Sequence, residues 1–102
     1  MIVNETLQTT PVQPTTARTG MTLVTAPPCH FCDDAQERLG SLEARGLIEL
    51  TLVPAESQEG RALIAAHRPG MFPLILVEGR YFHDGRLPRG KLARLVQKLE
   101  GR

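Results

Sequence analysis

The chain divides by the spacing of its apolar residues. Up to Gly20 large apolar side chains are sparse, and residues 1–20 hold six threonines together with Pro11 and Pro14. Such a stretch buries too little surface to offset the entropy of ordering it, which predicts a flexible tail over 1–20 and a folded domain over 21–102. Met21-Thr22-Leu23-Val24-Thr25, bounded by Gly20 and a proline pair, predicts a short buried strand. Ala35, Leu39 and Leu42 then recur at i, i+4 and i+7, one face of a helix, leaving Asp33, Asp34, Gln36, Glu37 and Arg38 mainly to the other faces, with Gly46 as its C-cap. Leu47-Ile48-Glu49-Leu50-Thr51-Leu52-Val53 reads as a second strand, ended by Pro54. A strand, helix and strand in that order imply parallel strands joined by a right-handed crossover.

In the second half, Leu63, Ile64 and Ala66 mark the apolar side of a short helix over 56–67, broken by Arg68-Pro69-Gly70. Phe72 to Val77 predicts a strand introduced by Pro73, and Glu78-Gly79 predicts the turn into Arg80-Tyr81-Phe82-His83, giving a hairpin. Leu92, Leu95, Val96 and Leu99 mark a final amphipathic helix starting near Pro88, a favourable first-turn position. The predicted order is β-α-β-α-β-β-α, an α/β domain.

Composition narrows this picture. A chain of 102 residues, 41% hydrophobic, supports one core and should fold without a metal or a structural disulfide. Twelve Lys+Arg against eleven Asp+Glu leave a net charge of +1, so there is no global attraction to nucleic acid or an anionic membrane. Locally, Arg80, Arg86, Arg89, Lys91 and Arg94 concentrate positive charge near the last helix. That asymmetry could orient an acidic partner, and a solvated helix face explains it as well. No apolar run approaches a membrane span, and the first residues lack the basic and apolar regions of a signal peptide, so the expected address is cytoplasmic.

The chemistry concentrates in Ala26-Pro27-Pro28-Cys29-His30-Phe31-Cys32. Cys29 and Cys32 are the only cysteines, and their spacing lets the sulfurs close a small ring if a helix begins at the first. The leading N–H groups of such a helix are unpaired and carry the positive end of its dipole, which stabilises a thiolate there. Pro27 and Pro28 bias the preceding chain away from helix and so favour a start at the cysteine. Two close cysteines suit redox or metal chemistry in a reducing compartment better than a secreted disulfide scaffold.

With a C-x-x-C after the first strand, a proline opening the third strand and a closing hairpin and helix, the region from Met21 to Leu99 resembles the thioredoxin superfamily in its minimal form. Its size and the short lead into the cysteines are most like glutaredoxins. The resemblance implies a four-stranded mixed sheet with helices on both faces. It also implies a cis bond between Phe72 and Pro73, with the main chain around Met71 and Phe72 holding a partner peptide or glutathione. The implied activity is thiol-disulfide exchange. Cys29, at the helix end and nearer the solvent, attacks a substrate disulfide as thiolate, and Cys32, one turn inside, resolves the mixed disulfide.

His30, when protonated, would favour the Cys29 thiolate, whereas Asp33 and Asp34 would oppose it. Phe31 is either an apolar contact beside the sulfurs or a side chain folded back on the core. The expected partners are a disulfide-containing protein or a small-thiol substrate, and a reductase or glutathione as electron donor. No cofactor is required, and the expected state is a monomer that binds neither nucleic acid nor membrane. Glutaredoxins carry Pro-Tyr between the cysteines, a lysine before them, and Gly-Gly with an acid after the last strand. This chain has His30-Phe31, Thr25-Ala26 and His83-Asp84-Gly85-Arg86. The Trp-Cys-Gly-Pro-Cys of thioredoxins is also absent, which leaves the reductant open.

Two other classes use the same residues differently. A C-x-x-C is half of a zinc site, but His67 and His83 form no second paired motif, so no metal ligands are assigned. An iron–sulfur cluster shared between two chains, with thiolates from both or from glutathione, is the related carrier reading. The remaining class is a non-catalytic interaction module with incidental cysteines.

Overall fold

The computed structural model describes residues 18–101. Its sheet is built outward from β1 (Thr19–Thr25), whose alternate residues Thr19, Met21 and Leu23 are buried, together with Val24. Apolar side chains leave on both sides of this strand, so it can only be stable with cover on both faces. β2 (Ile48–Pro54) runs parallel to β1, from Thr19 opposite Ile48 to Thr25 opposite Pro54. On the other side β3 (Leu74–Val77) runs antiparallel, with Leu23 opposite Ile75, and β4 (Arg80–Asp84) pairs antiparallel with β3. The result is a four-stranded mixed sheet in the order β2-β1-β3-β4.

Three helices complete the expected order: α1 (His30–Ala44), α2 (Gln58–His67) and α3 (Arg89–Glu100). The i, i+4, i+7 stripe of α1 is its buried face, where Ala35, Leu39 and Leu42 join Met21, Leu23, Ile48 and Ile75 in the larger core cluster. Leu92, Leu95, Val96 and Leu99 of α3 pack against the same cluster. On the opposite face Val24, Val53, Leu74 and Leu76 form a second cluster, covered by Leu63 and Ile64 of α2. Each face of the sheet is therefore sealed by the helices whose apolar stripes the sequence shows.

The boundaries differ where partners far along the chain decide them. β1 begins at Thr19, upstream of Met21, because Ile48 and Glu49 pair with Thr19 and Gly20. Residues 1–17 of the predicted tail lie outside the described residues. α1 has Arg45 as its C-cap, and Gly46 follows with φ +78, the left-handed conformation that glycine accepts at no steric cost. The third strand starts at Leu74, two residues later than the apolar run suggests, because residues 70–73 are held by other bonds described below. The hairpin turn has both central residues at positive φ, Glu78 at 52 and Gly79 at 79, the geometry that matches the strand twist. Glu78 also ties the turn to β1, accepting from the Gly20 N–H at 2.6 Å and donating its own N–H to the Gly20 carbonyl at 2.8 Å.

Candidate active site

β1 ends at Thr25 and only residues 26–29 separate it from α1, so the connection delivers Cys29 to the edge of the sheet as the N-cap of the helix. Its backbone is extended (φ −156, ψ 104), and its Sγ accepts from the Cys32 N–H at 3.0 Å, the place a capping serine or aspartate oxygen takes in other helices. Cys29 and Cys32 are joined as a disulfide with their Cα atoms 5.1 Å apart. The two sulfurs are not equivalent to solvent. Cys32 is 3% exposed, sharing the buried face of α1 with Ala35 and Leu39, whereas Cys29 is only half-buried.

This geometry sets what reduction would produce. A thiolate at Cys29 would keep the Cys32 N–H, now a charge-assisted donor of about 1.5–3 kcal/mol, and would sit at the positive end of the α1 dipole. On the other side Cys29 Sγ lies 3.9 Å from the Phe72 carbonyl oxygen, a contact that favours a protonated sulfur. The N–H at 3.0 Å outweighs the carbonyl at 3.9 Å because hydrogen-bond strength falls steeply with distance.

The remaining predicted residues fall around the pair. His30 is the first residue of α1, exposed, and lines an open groove of about 290 Å³ with Thr25, Pro27, Pro28, Asp33 and Gln36. Asp34 is turned to Arg38, 3.1 Å away, while Asp33 faces the groove. Phe31 stands exposed on the surface, so of its two predicted placements the outward one is found. Phe72 is brought against Cys29, Met71 is 54% exposed beside it in sequence, and Pro73 is buried. The Phe72–Pro73 bond is cis, as is Pro27–Pro28, so cis peptides precede both Pro73 and the cysteine segment.

His67 and His83 do not converge on the sulfurs. His67 closes α2, and His83 is occupied by Arg86, whose carbonyl lies 2.8 Å from Nε2, and by Lys91, 3.2 Å from Nδ1. Among the described residues no three His, Cys, Asp or Glu side chains cluster as metal ligands, so a metal on Cys29 and Cys32 would draw its other ligands from elsewhere. Among the described residues, too, no helix is long and apolar enough to cross a membrane.

One residue of the site has no signal in the sequence. Asp84, the last residue of β4, accepts from the backbone N–H of Gly70 at 2.5 Å and of Met71 at 3.3 Å, and from the Tyr81 hydroxyl at 2.5 Å. It thereby fixes the segment that leads into Phe72, helped by the Gly85 N–H donating to the Pro73 carbonyl at 3.0 Å. These bonds favour the carboxylate: the Tyr81 hydroxyl first, then the Gly70 N–H, hold the Asp84 pKa below its ordinary value. The same hydrogen bond to Asp84 raises that of Tyr81. An acid next to Gly85 reads as an ordinary turn residue, and nothing in its spacing points to residues 70 and 71.

A scan against protein-family models finds no match, and a search of curated proteins finds none. Among solved structures the chain is similar to an uncharacterized thioredoxin-like protein from Clostridium perfringens, with TM-score 0.61 and 16% identity over 80% of this chain and 71% of that one. It is also similar to a protein of unknown function from Staphylococcus aureus, with TM-score 0.59 and 14% identity over 82% of this chain and 93% of that one. With the mixed sheet, the helix order and the C-x-x-C pair at the head of α1, the chain has the minimal thioredoxin fold.

Proposed function

We propose that this chain is a thiol-disulfide oxidoreductase of glutaredoxin-like type that works through Cys29 and Cys32. The observation that carries the reading is the asymmetry of the pair: one sulfur half-exposed as a helix N-cap facing a backbone N–H, the other 3% exposed one turn inside. The first is the better placed nucleophile, and the second is within reach of it alone.

In the reduced protein the Cys29 thiolate attacks one sulfur of a substrate disulfide. A mixed disulfide forms between Cys29 and that half of the substrate, and the other half leaves as a thiolate. The Cys32 thiolate then attacks Cys29 Sγ, forming the intramolecular disulfide and releasing the remaining half. Two electrons pass from the dithiol to the substrate. They are restored by two equivalents of a thiol such as glutathione, or by a reductase. Met71 and Phe72 supply the main chain beside Cys29 along which a substrate would lie, and the exposed Phe31 and Met71 would give it apolar contact. His30 would add to thiolate stabilisation when protonated.

Replacing each cysteine in turn tests the division of labour. Cys29→Ser is expected to abolish disulfide reduction, while Cys32→Ser is expected to accumulate a mixed disulfide visible as added mass on the intact protein. If glutathione is the partner, the Cys32 variant keeps residual monothiol activity. Full activity in both variants would sink the mechanism.

A further inference from the structure

Away from the cysteines, a cleft of about 250 Å³ lies between β4 and α3, lined by Phe82, Lys91, Arg94, Leu95 and Lys98. We propose that this cleft docks an acidic segment of a partner protein through one apolar side chain flanked by carboxylates, a role separate from the redox reading.

The floor comes from an irregularity in the sheet. Between β3 and β4 the register steps from Ile75 opposite His83 to Leu76 opposite Tyr81, so Phe82 is the extra residue of a bulge. A bulge re-aims a side chain, and here Phe82 packs with Leu95 against the larger core cluster while still lining the cleft. The rim is cationic. Lys91, Arg94 and Lys98 recur at i, i+3 and i+7 and so share one side of α3. Lys91 is partly committed, donating to the Phe82 carbonyl at 2.6 Å and contacting His83 Nδ1 at 3.2 Å.

The side chains of Arg94 and Lys98 have no hydrogen bond or ion pair among the described residues. The one acid of α3, Glu100, is paired with Arg45 beyond the end of α1, and Asp84 is spent on the 70–71 backbone. The positive charge of the cleft is thus left for an external anion.

Geometry selects the kind of anion. The cations spread over about 10 Å of helix axis, seven residues at 1.5 Å each, which is too far for one phosphate or carboxylate to bridge and suits acids spaced along a chain. The volume is below the roughly 300–1,000 Å³ of small-molecule sites and suits a single large side chain. Nucleic-acid binding is disfavoured because, among the described residues, Phe82 is the one aromatic side chain lining the cleft, too few to stack successive bases. The chain's own residues 1–17 carry a single acid, Glu5, so they lack the complementary charge.

The test titrates full-length protein into a fluorescently labelled peptide with one leucine between two pairs of glutamates, read by anisotropy and by backbone amide shifts. Saturable binding is expected, with shifts at Phe82 and along α3. The charge-reversed Arg94→Glu/Lys98→Glu variant is expected to bind at least about tenfold more weakly, with unchanged thermal stability. Absence of binding, shifts elsewhere, or undiminished affinity in the variant would overturn the proposal. So would tighter binding of phosphatidylserine vesicles or of a single-stranded oligonucleotide at the same residues.

Discussion

Removing the Asp84 carboxylate should loosen the segment that presents Phe72 to Cys29, and the size of the effect can be worked from its three hydrogen bonds. Two are short, 2.5 Å from the Gly70 N–H and from the Tyr81 hydroxyl, and the Met71 N–H at 3.3 Å is weaker. Bonds to a charged acceptor reach about 1.5–3 kcal/mol when shielded, but these are exposed, and solvent screening reduces the short ones to about 0.5 kcal/mol each with less for the third. Asp84→Ala should therefore cost about 1–1.5 kcal/mol at neutral pH, a fall in Tm of about 5–10 °C for a domain of this size.

The sign with pH follows from the depressed Asp84 pKa. Its contribution is fully present above the unfolded value near 3.8, and is lost as the pH falls through the lower folded value. Urea midpoints of wild type and variant should differ at pH 7 and draw together as the pH falls from 3.8 through the lower folded value. The Tyr81→Phe change should add little on top of Asp84→Ala, since the two share a bond. A neutral-pH loss under about 0.3 kcal/mol, or a loss that persists undiminished in acid, would refute the reasoning.

Other outcomes follow from single contacts. A Cβ at Gly60 would lie 2.8 Å from the Ala55 carbonyl oxygen and closer still to that of Pro54, both backbone atoms, so Gly60→Ala should destabilise by about 1–3 kcal/mol in urea unfolding. Unchanged stability would mean that the start of α2 is not packed on the end of β2. Tyr81 is the only tyrosine, so its phenolate absorbance reports it alone; it should titrate above 10.0 in wild type and closer to 10.0 in Asp84→Ala. Because that pKa is raised, the Tyr81 contribution is present below pH 10.0 and disappears as the pH rises through the folded value.

What the sequence discloses here is what repeats along it. The stripe Ala35, Leu39, Leu42 is the buried face of α1, the Leu92, Leu95, Val96, Leu99 stripe is that of α3, and the paired cysteines sit at a helix start because a helix period can be read locally. Contacts between distant segments are not periodic and stay hidden. Phe72 and Pro73 look like the first residues of a strand, yet Asp84 and Gly85, a dozen residues on, pull the 70–73 segment out of the ladder and against Cys29. The same holds for Thr19 and Gly20, whose polar character reads as tail until Ile48 and Glu49 are seen beside them. Phe82 likewise looks like an ordinary strand residue, and only the register step turns it into the floor of the basic cleft.

The central claim, that Cys29 and Cys32 are redox catalysts, is tested most directly by turnover of a small disulfide by the full chain. Glutathione with its reductase is compared with thioredoxin reductase as electron donor, and metal is assayed on the same sample. Steady turnover with one donor, abolished by Cys29→Ser and without stoichiometric metal, is the predicted result, and it also identifies the reductant. Inactivity with both donors, together with zinc or iron bound through Cys29 and Cys32, would contradict the account and make the two thiolates ligands.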